Sequence, residues 1–319
     1  MRVLITGATG QDGYYLSKAL SLEHDVWGLY RGQEEARLAA LRQELPLVEW
    51  VRGDITDAGS VSHAIWEIRP DWIFNLAAAS FVGLSWQMAR LYMETDAGGV
   101  LNVLEAARQH VPQAHILQAS TSEMFGSSST PLSETSPMLP KSPYGVAKLA
   151  AHHLCRVYRE SYGMHISCAI SFNHESPRRP PIFVTRKVTQ AVAAIAAGHQ
   201  DSLTLTTLDS WRDWGHAEDY MRAYILMAQA EEPDDYVVAT GVTHSISELV
   251  GTAFRAAGIS DWSNCLRVDE TQRRPNELVR LDADPSRIRS GLGWEAQVSF
   301  EELIREMVAH DMENIAVTA

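Results

Sequence analysis

Tyr144 and Lys148 stand four residues apart in the run Ser142-Pro143-Tyr144-Gly145-Val146-Ala147-Lys148. A free tyrosine, with a pKa of about 10, is a poor base at neutral pH, but a fixed cation beside it favours the phenolate. Such a pair could take a proton from an alcohol or sugar hydroxyl. A surface tyrosine and lysine on an ordinary helix would share the same spacing, so the surroundings must decide. Upstream, Ala119-Ser120-Thr121-Ser122-Glu123 offers a hydroxyl at Thr121 and a carboxylate at Glu123, residue types that also serve as a polar loop or a cap.

The elements that would carry these groups can be read from pattern. Ser142 suits an N-cap and Pro143 a first helical turn, so Tyr144 and Lys148 fall on one face of a helix. His115 to Ser120 reads as a strand that delivers Thr121 to its carboxyl end. At the N-terminus, the apolar run Arg2 to Thr6 precedes Gly7-Ala8-Thr9-Gly10-Gln11-Asp12-Gly13 and then a helical pattern from Tyr14 to Leu22. Strand, glycine turn and helix in that order place a pyrophosphate at the positive end of the helix.

Asp25 to Tyr30 forms the next strand, and Arg31 stands where NAD-specific enzymes carry an acid for the ribose 2′-hydroxyl. A cation there suits a 2′-phosphate, which favours NADP. Val48 to Ile55 is a third strand whose Asp54 can accept from an adenine amino group, with Ile55 beside it. Asp57 to Ile68 reads as a helix and Trp72 to Ser80 as a fourth strand, whose small residues Ala77, Ala78 and Ser80 after Leu76 let a nicotinamide ribose approach. A helix over 98–109 follows. Five strands alternating with helices predict a doubly wound parallel sheet with its ligands at the strand carboxyl ends.

Composition limits the alternatives. The 319 residues, at about 150 per domain, imply roughly two domains. The net charge of -13 argues against nucleic acid or an anionic membrane surface as a main partner. Cys155, Cys168 and Cys265 are widely spaced and outside any metal-ligand pattern, so no metal site is expected and buried thiols in a reducing compartment are. Met1-Arg2 leads straight into the first strand without a signal-peptide pattern, and no apolar run is long enough to span a bilayer, so a cytoplasmic location is expected.

Together the glycine turn, Ala119 to Gly126 and Ser142 to Lys148 resemble the GDP-mannose 4,6-dehydratases of the extended short-chain dehydrogenase/reductase superfamily. Further matches are Phe172-Asn173-His174-Glu175-Ser176-Pro177-Arg178-Arg179, Phe183 to Lys187, Arg212-Asp213-Trp214-Gly215-His216 and Arg274-Pro275 with Glu277. The match runs nearly the whole chain in order. It implies that Tyr144, with Thr121 and Lys148, deprotonates a sugar 4-hydroxyl while hydride leaves C4 for NADP. Glu123 then takes the C5 proton and assists loss of the C6 hydroxyl. A plain 4-reductase or epimerase of the superfamily has no need of Glu123.

The resemblance assigns Gly7, Thr9, Gly10, Gln11, Asp12, Gly13, His174 and Arg179 to the cofactor. It assigns Ser80, Ser122, Asn173, Val184, Lys187, Arg212, Arg274 and Glu277 to the nucleotide-diphosphate sugar. The implied fold is a Rossmann-type doubly wound sheet over 1–172 plus 209–243, with a smaller substrate domain over 173–208 plus 244–319. Where the family carries a longer, arginine-containing loop that reaches a neighbouring subunit, this chain has Tyr30-Arg31-Gly32-Gln33-Glu34-Glu35, which points to a homodimer over a homotetramer. Pro180-Pro181-Ile182 and Leu205-Thr206-Thr207 also depart from the family pattern, leaving a related sugar such as a GDP-heptose as the alternative substrate.

Overall fold

In the computed structural model the described residues are 1–32, 35–269, 271, 276 and 278–318. Strands β1 (Arg2–Thr6), β2 (Asp25–Tyr30), β3 (Val48–Arg52), β4 (Trp72–Asn75), β5 (His115–Thr121) and β6 (Ile166–Ser171) alternate with helices. The helices are α1 (Gln11–Leu20), α2 (Glu35–Glu44), α3 (Ala58–Ile68), α4 (Ala89–Tyr92), α5 (Gly99–His110) and α6 (Pro143–Tyr162). Next come β7 (Asn173–Glu175), α7 (Val184–Ala196), β8 (Leu203–Leu205), β9 (Trp211–His216), α8 (Ala217–Gln229) and β10 (Asp235–Val238). The chain then forms β11 (Thr243–Ser245), α9 (Ile246–Ala256), β12 (Leu266–Val268), α10 (Ser286–Leu292) and α11 (Phe300–Thr318).

The main sheet has seven strands in the order β10-β6-β5-β4-β1-β2-β3, and every pairing in it is parallel. Its middle strands are buried on both faces and are dominated by apolar residues. Leu16 and Leu20 of α1 join Tyr220, Tyr224 and Met227 of α8 on one side, while Ile65, Val103 and Cys155 of α3, α5 and α6 cover the other. The order in which strands are added reverses between β1 and β4, and a crevice opens there at the carboxyl ends. A buried polar row keeps those ends level: the Thr6 hydroxyl donates to Asn75 at 2.6 Å, and the Asn75 amide donates to Gln118 at 2.8 Å.

A second layer faces the crevice. β11, β9 and β7 form one small sheet and β12 with β8 another, packed on α7, α9 and α11 around Val188, Trp214, Leu249 and Leu303. The buried Arg186 guanidinium donates to the buried Asp311 carboxylate and ties α7 to α11. Trp211–His216 belongs to the small sheet, although its sequence neighbour α8 packs on α1.

Several boundaries differ from the sequence reading. The first helix starts at Gln11, directly after Gly10 in extended backbone, so its first amides open into the crevice. The third and fourth strands stop at Arg52 and Asn75, because the residues beyond them leave the ladder to line the cleft. α2 was not anticipated: among its described side chains Leu38 and Leu41 are the inward pair, and the charges around them hide the period. The helix expected over 98–109 is preceded by a π-turn over Met93–Gly98. Among the described residues no helix is long and apolar enough to cross a membrane.

Candidate active site

One continuous cavity of about 720 Å³ lies between the two layers. Its floor takes Gly7, Thr9, Gly10, Gln11, Asp12 and Gly13 from the first turn, and Leu76, Ala77, Ala78 and Ser80 from the loop after β4. Arg31, Asp54 and Ile55 close one end. Thr121, Ser122 and Glu123 meet Tyr144 and Lys148 in the middle, and Asn173, His174, Arg179, Val184, Lys187 and Arg212 form the opposite wall. Arg274 and Glu277 lie outside the described residues. No group of three or more His, Cys, Asp or Glu among the described residues could hold a metal ion.

The central groups are brought together by tight packing. Ser142 caps α6 by accepting from the Gly145 N–H at 3.0 Å, with Pro143 in the first turn. A Cβ on Gly145 would lie 2.7 Å from the Glu123 carbonyl oxygen, so only glycine lets the start of α6 approach the turn that carries Glu123. The Thr121 hydroxyl hydrogen-bonds the Tyr144 phenol and also accepts the Glu123 N–H at 3.3 Å. Lys148 is buried and donates to the Ala119 carbonyl at 2.5 Å.

The electrostatics correct one expectation. Burial pushes the Tyr144 phenol well above its ordinary value, and the Asp96 and Glu123 carboxylates push it further. Lys148 is not among the principal influences on that phenol, and burial pulls its own ammonium down. The four-residue spacing brings the phenol and the ammonium to one cavity, but the low-dielectric wall, not the neighbouring cation, dominates the resting phenol.

The cradle at the first turn fits a dinucleotide. Gly13 has Ala8 and Gly7 backbone atoms within 2.6 Å of where a Cβ would be, so helix and strand close tightly beneath the floor. The Gly10 N-cap has no side-chain hydrogen bond of its own to the helix, which leaves the first amides of α1 facing the cavity.

A family model described as GDP-mannose 4,6 dehydratase matches residues 4–307. The chain belongs to the GDP-mannose 4,6-dehydratase family. It is 41% identical to GDP-mannose 4,6 dehydratase 2 of Arabidopsis thaliana over 97% of this chain and 86% of that one. Against the GDP-mannose 4,6-dehydratase of Yersinia enterocolitica it is 39% identical over 98% and 94%. Among solved structures it is similar to a dTDP-glucose 4,6-dehydratase from Streptomyces venezuelae with NAD and TYD bound, at 27% identity and a TM-score of 0.88 over 99% and 98% of the chains.

In this member of the dehydratase family, three residues assigned to the cofactor are also committed to one another. His174 Nε2 lies 3.0 Å from Asp12 Oδ2, while the Gln11 amide donates to the His174 carbonyl at 3.1 Å and its oxygen accepts from Ser176 at 2.8 Å. They brace the glycine turn against β7. Arg179 stacks on Phe183 at 3.6 Å, and Phe183 meets Phe81 edge-on at 5.6 Å, so the far wall is as aromatic as it is basic. Arg212 donates to the Trp211 and Leu278 carbonyls, both at 2.8 Å, and anchors the strand end it lines. Arg37 also lines the cavity, beside Arg31. The sequence reading missed it because it sits on the unanticipated α2.

Burial alone would raise Asp12, but the charge and hydrogen bond of His174 outweigh it and hold the carboxyl at about 2. His174 is depressed by burial, yet Asp12 more than offsets this and keeps the ring above its ordinary 6.5. The Asp12 contribution to stability is therefore present above its ordinary 3.8 and fades as pH falls toward about 2. The His174 contribution is complete below 6.5 and fades as pH rises through the folded value. Asp12→Asn should accordingly lower the melting temperature most between about pH 4 and 6.5 and least below about pH 3. Thermal melts across pH that differ from wild type by a constant amount would contradict this.

Proposed function

We propose that this protein is a nucleotide-sugar 4,6-dehydratase converting GDP-mannose to GDP-4-dehydro-6-deoxy-D-mannose with NADP as a recycled cofactor. The observation that carries the reading is the meeting of the Glu123 carboxylate with Thr121, Tyr144 and Lys148 at one cavity wall, in a chain of this family. Oxidation at C4 requires one base, and elimination across C5 and C6 requires a second acid/base, so two such groups on one wall match a reaction of three linked steps.

Tyr144 accepts the proton of the sugar 4-hydroxyl, with Thr121 holding the substrate oxygen and the phenol in one hydrogen-bond chain. A nicotinamide held by the turn over 7–13 and the loop over 77–80 would supply the acceptor for the C4 hydride and the donor for C6, leaving no net reduced cofactor. The resulting 4-ketone acidifies the C5 proton, which Glu123 removes, and the same carboxyl group then protonates the departing C6 oxygen as water forms. C5 regains a proton from solvent as hydride reaches C6, and the proton held by Tyr144 is released to solvent. The buried phenol is neutral at rest; the positive charge of an oxidised nicotinamide in the cavity would favour the phenolate, with the phenol's own proton released to solvent before Tyr144 takes the one on the sugar 4-hydroxyl. Lys187 and Arg212 are the cations that suit the sugar diphosphate, with Arg179 left to the cofactor.

Arg31 and Arg37 at the Asp54 end of the cavity support NADP over NAD. The outward residues Leu101 of α5 and Val146 and Val157 of α6 are exposed apolar side chains on adjoining helices and support a homodimer through that face. Pro180, Ile182, Leu205, Thr206 and Thr207 line the cavity, so the segments that depart from the family pattern also touch the substrate side. Those positions are what favour a GDP-heptose as the second reading.

Purified protein incubated with a panel of nucleotide sugars should give the 4-dehydro-6-deoxy product from GDP-mannose, by mass spectrometry, without net NADPH. Unchanged GDP-mannose beside a converted GDP-heptose would replace the substrate, and no dehydration of any sugar would end the proposal. Glu123→Gln and Tyr144→Phe should each lower kcat by about 10²-fold or more; retention of Glu123→Gln activity would indicate a plain reductase or epimerase. Replacing Arg31 and Arg37 together by alanine should weaken NADP binding at least about tenfold and leave NAD nearly unchanged, read by fluorescence titration. Light scattering should give twice the 35.4 kDa chain mass, and a 35.4 kDa particle would exclude the dimer.

A further inference from the structure

Asp96 is fully buried on the π-turn over Met93–Gly98, which packs against α6. The extra residue of such a turn displaces the helix and turns a side chain inward, and π-turns recur at functional sites. Asp96 Oδ1 accepts the Ala79 N–H at 2.7 Å, in the strand-end loop that lines the cavity beside Ala78 and Ser80. Its Oδ2 is buried with no hydrogen-bond partner. An unpartnered buried carboxylate oxygen is costly to keep unless its charge is used.

The charged groups facing it are few. Lys148 and Tyr144 face it from α6, and Tyr92 from the turn before it. Glu123 and Arg179 act on Tyr144 from elsewhere in the cavity, and Cys155 and Cys168 act on Lys148. Among charges, Asp96 is the strongest single influence on both Tyr144 and Lys148. Burial pushes Asp96 itself up to about 6, and Lys148 and the Ala79 amide hold it down against a larger rise.

We propose that Asp96 is a positioning residue for this reaction, holding the Ala78–Ser80 loop with one oxygen and, through the charge on the other, keeping Lys148 an ammonium and the Tyr144 proton in place until substrate arrives. The proposal rests on the assignment of Tyr144 as the base. One carboxylate thereby couples the floor under the nicotinamide ribose to the acid/base pair above it. Its charge also explains how a lysine pulled down by burial stays protonated inside an apolar wall.

Asp96→Asn keeps the shape and the acceptor for Ala79 while removing the charge, and Asp96→Ala removes both. Both limbs of the kcat/KM profile of Asp96→Asn should move about one pH unit to the acid side, with KM values within about twofold of wild type. Asp96→Ala should in addition raise KM for the cofactor. Ultraviolet titration of tyrosinate to pH 12 in the NADP complex, each protein minus its Tyr144→Phe counterpart, reads the same change without any turnover. Tyr144 should titrate about one unit lower in Asp96→Asn. Superimposable limbs and superimposable titrations, including no titration in either protein, would overturn the proposal, since a purely structural role would lower the height of the profile and leave its limbs in place. A protein inactive on every nucleotide sugar whose Tyr144 titration still moves would refute the dehydratase reading while upholding the charge coupling of Asp96 to Tyr144.

Discussion

The structure depends on a contact that leaves no room for a side chain. The first turn of α6 lies against the carbonyl of Glu123 at Gly145, and that approach brings a phenol from a helix and a carboxylate from a strand end to one wall. The Ser142 cap and Pro143 fix where α6 begins, and the row from Thr6 through Asn75 to Gln118 fixes how far the strands extend. Two segments separated in sequence can meet within hydrogen-bond reach of Thr121 only because both ends are set to within a residue.

Burial governs the chemistry of that wall more than net charge does. The chain carries -13 overall, yet its cavity gathers Arg179, Lys187 and Arg212 on one wall, and Glu123 lines it with Tyr144 and Lys148. In a low-dielectric site a neutral phenol, a paired ammonium and a half-satisfied carboxylate are mutually dependent, because moving a charge on one changes the cost of charging the others. The same logic works on the opposite side, where Asp12 and His174 each favour the other's charged form and link the glycine turn to the second layer.

The second layer shows why its parts were harder to read. β7, β8, β11 and β12 are three residues each, too short for alternation to register, and their stability comes from packing around Trp214 and Phe254. Arg179 and Arg212 were legible as cations, but not their stacking on Phe183 or their bonds to backbone carbonyls. Arg37 was invisible as a cavity residue for the same reason that α2 was invisible as a helix: a single inward pair of leucines carries no clear period.

From sequence alone came the parallel sheet, the glycine cradle, the cap of α6 and the company of Thr121, Glu123, Tyr144 and Lys148, because these follow from local pattern and strand-end placement. Tertiary structure alone decided that the phenol rests neutral and that Asp96, unremarked in its run of Met93-Glu94-Thr95-Asp96, sits beside the pair. Spacing along a chain specifies which side chains share a face, but burial, and so the energy of a charge, is a property of everything that folds around them.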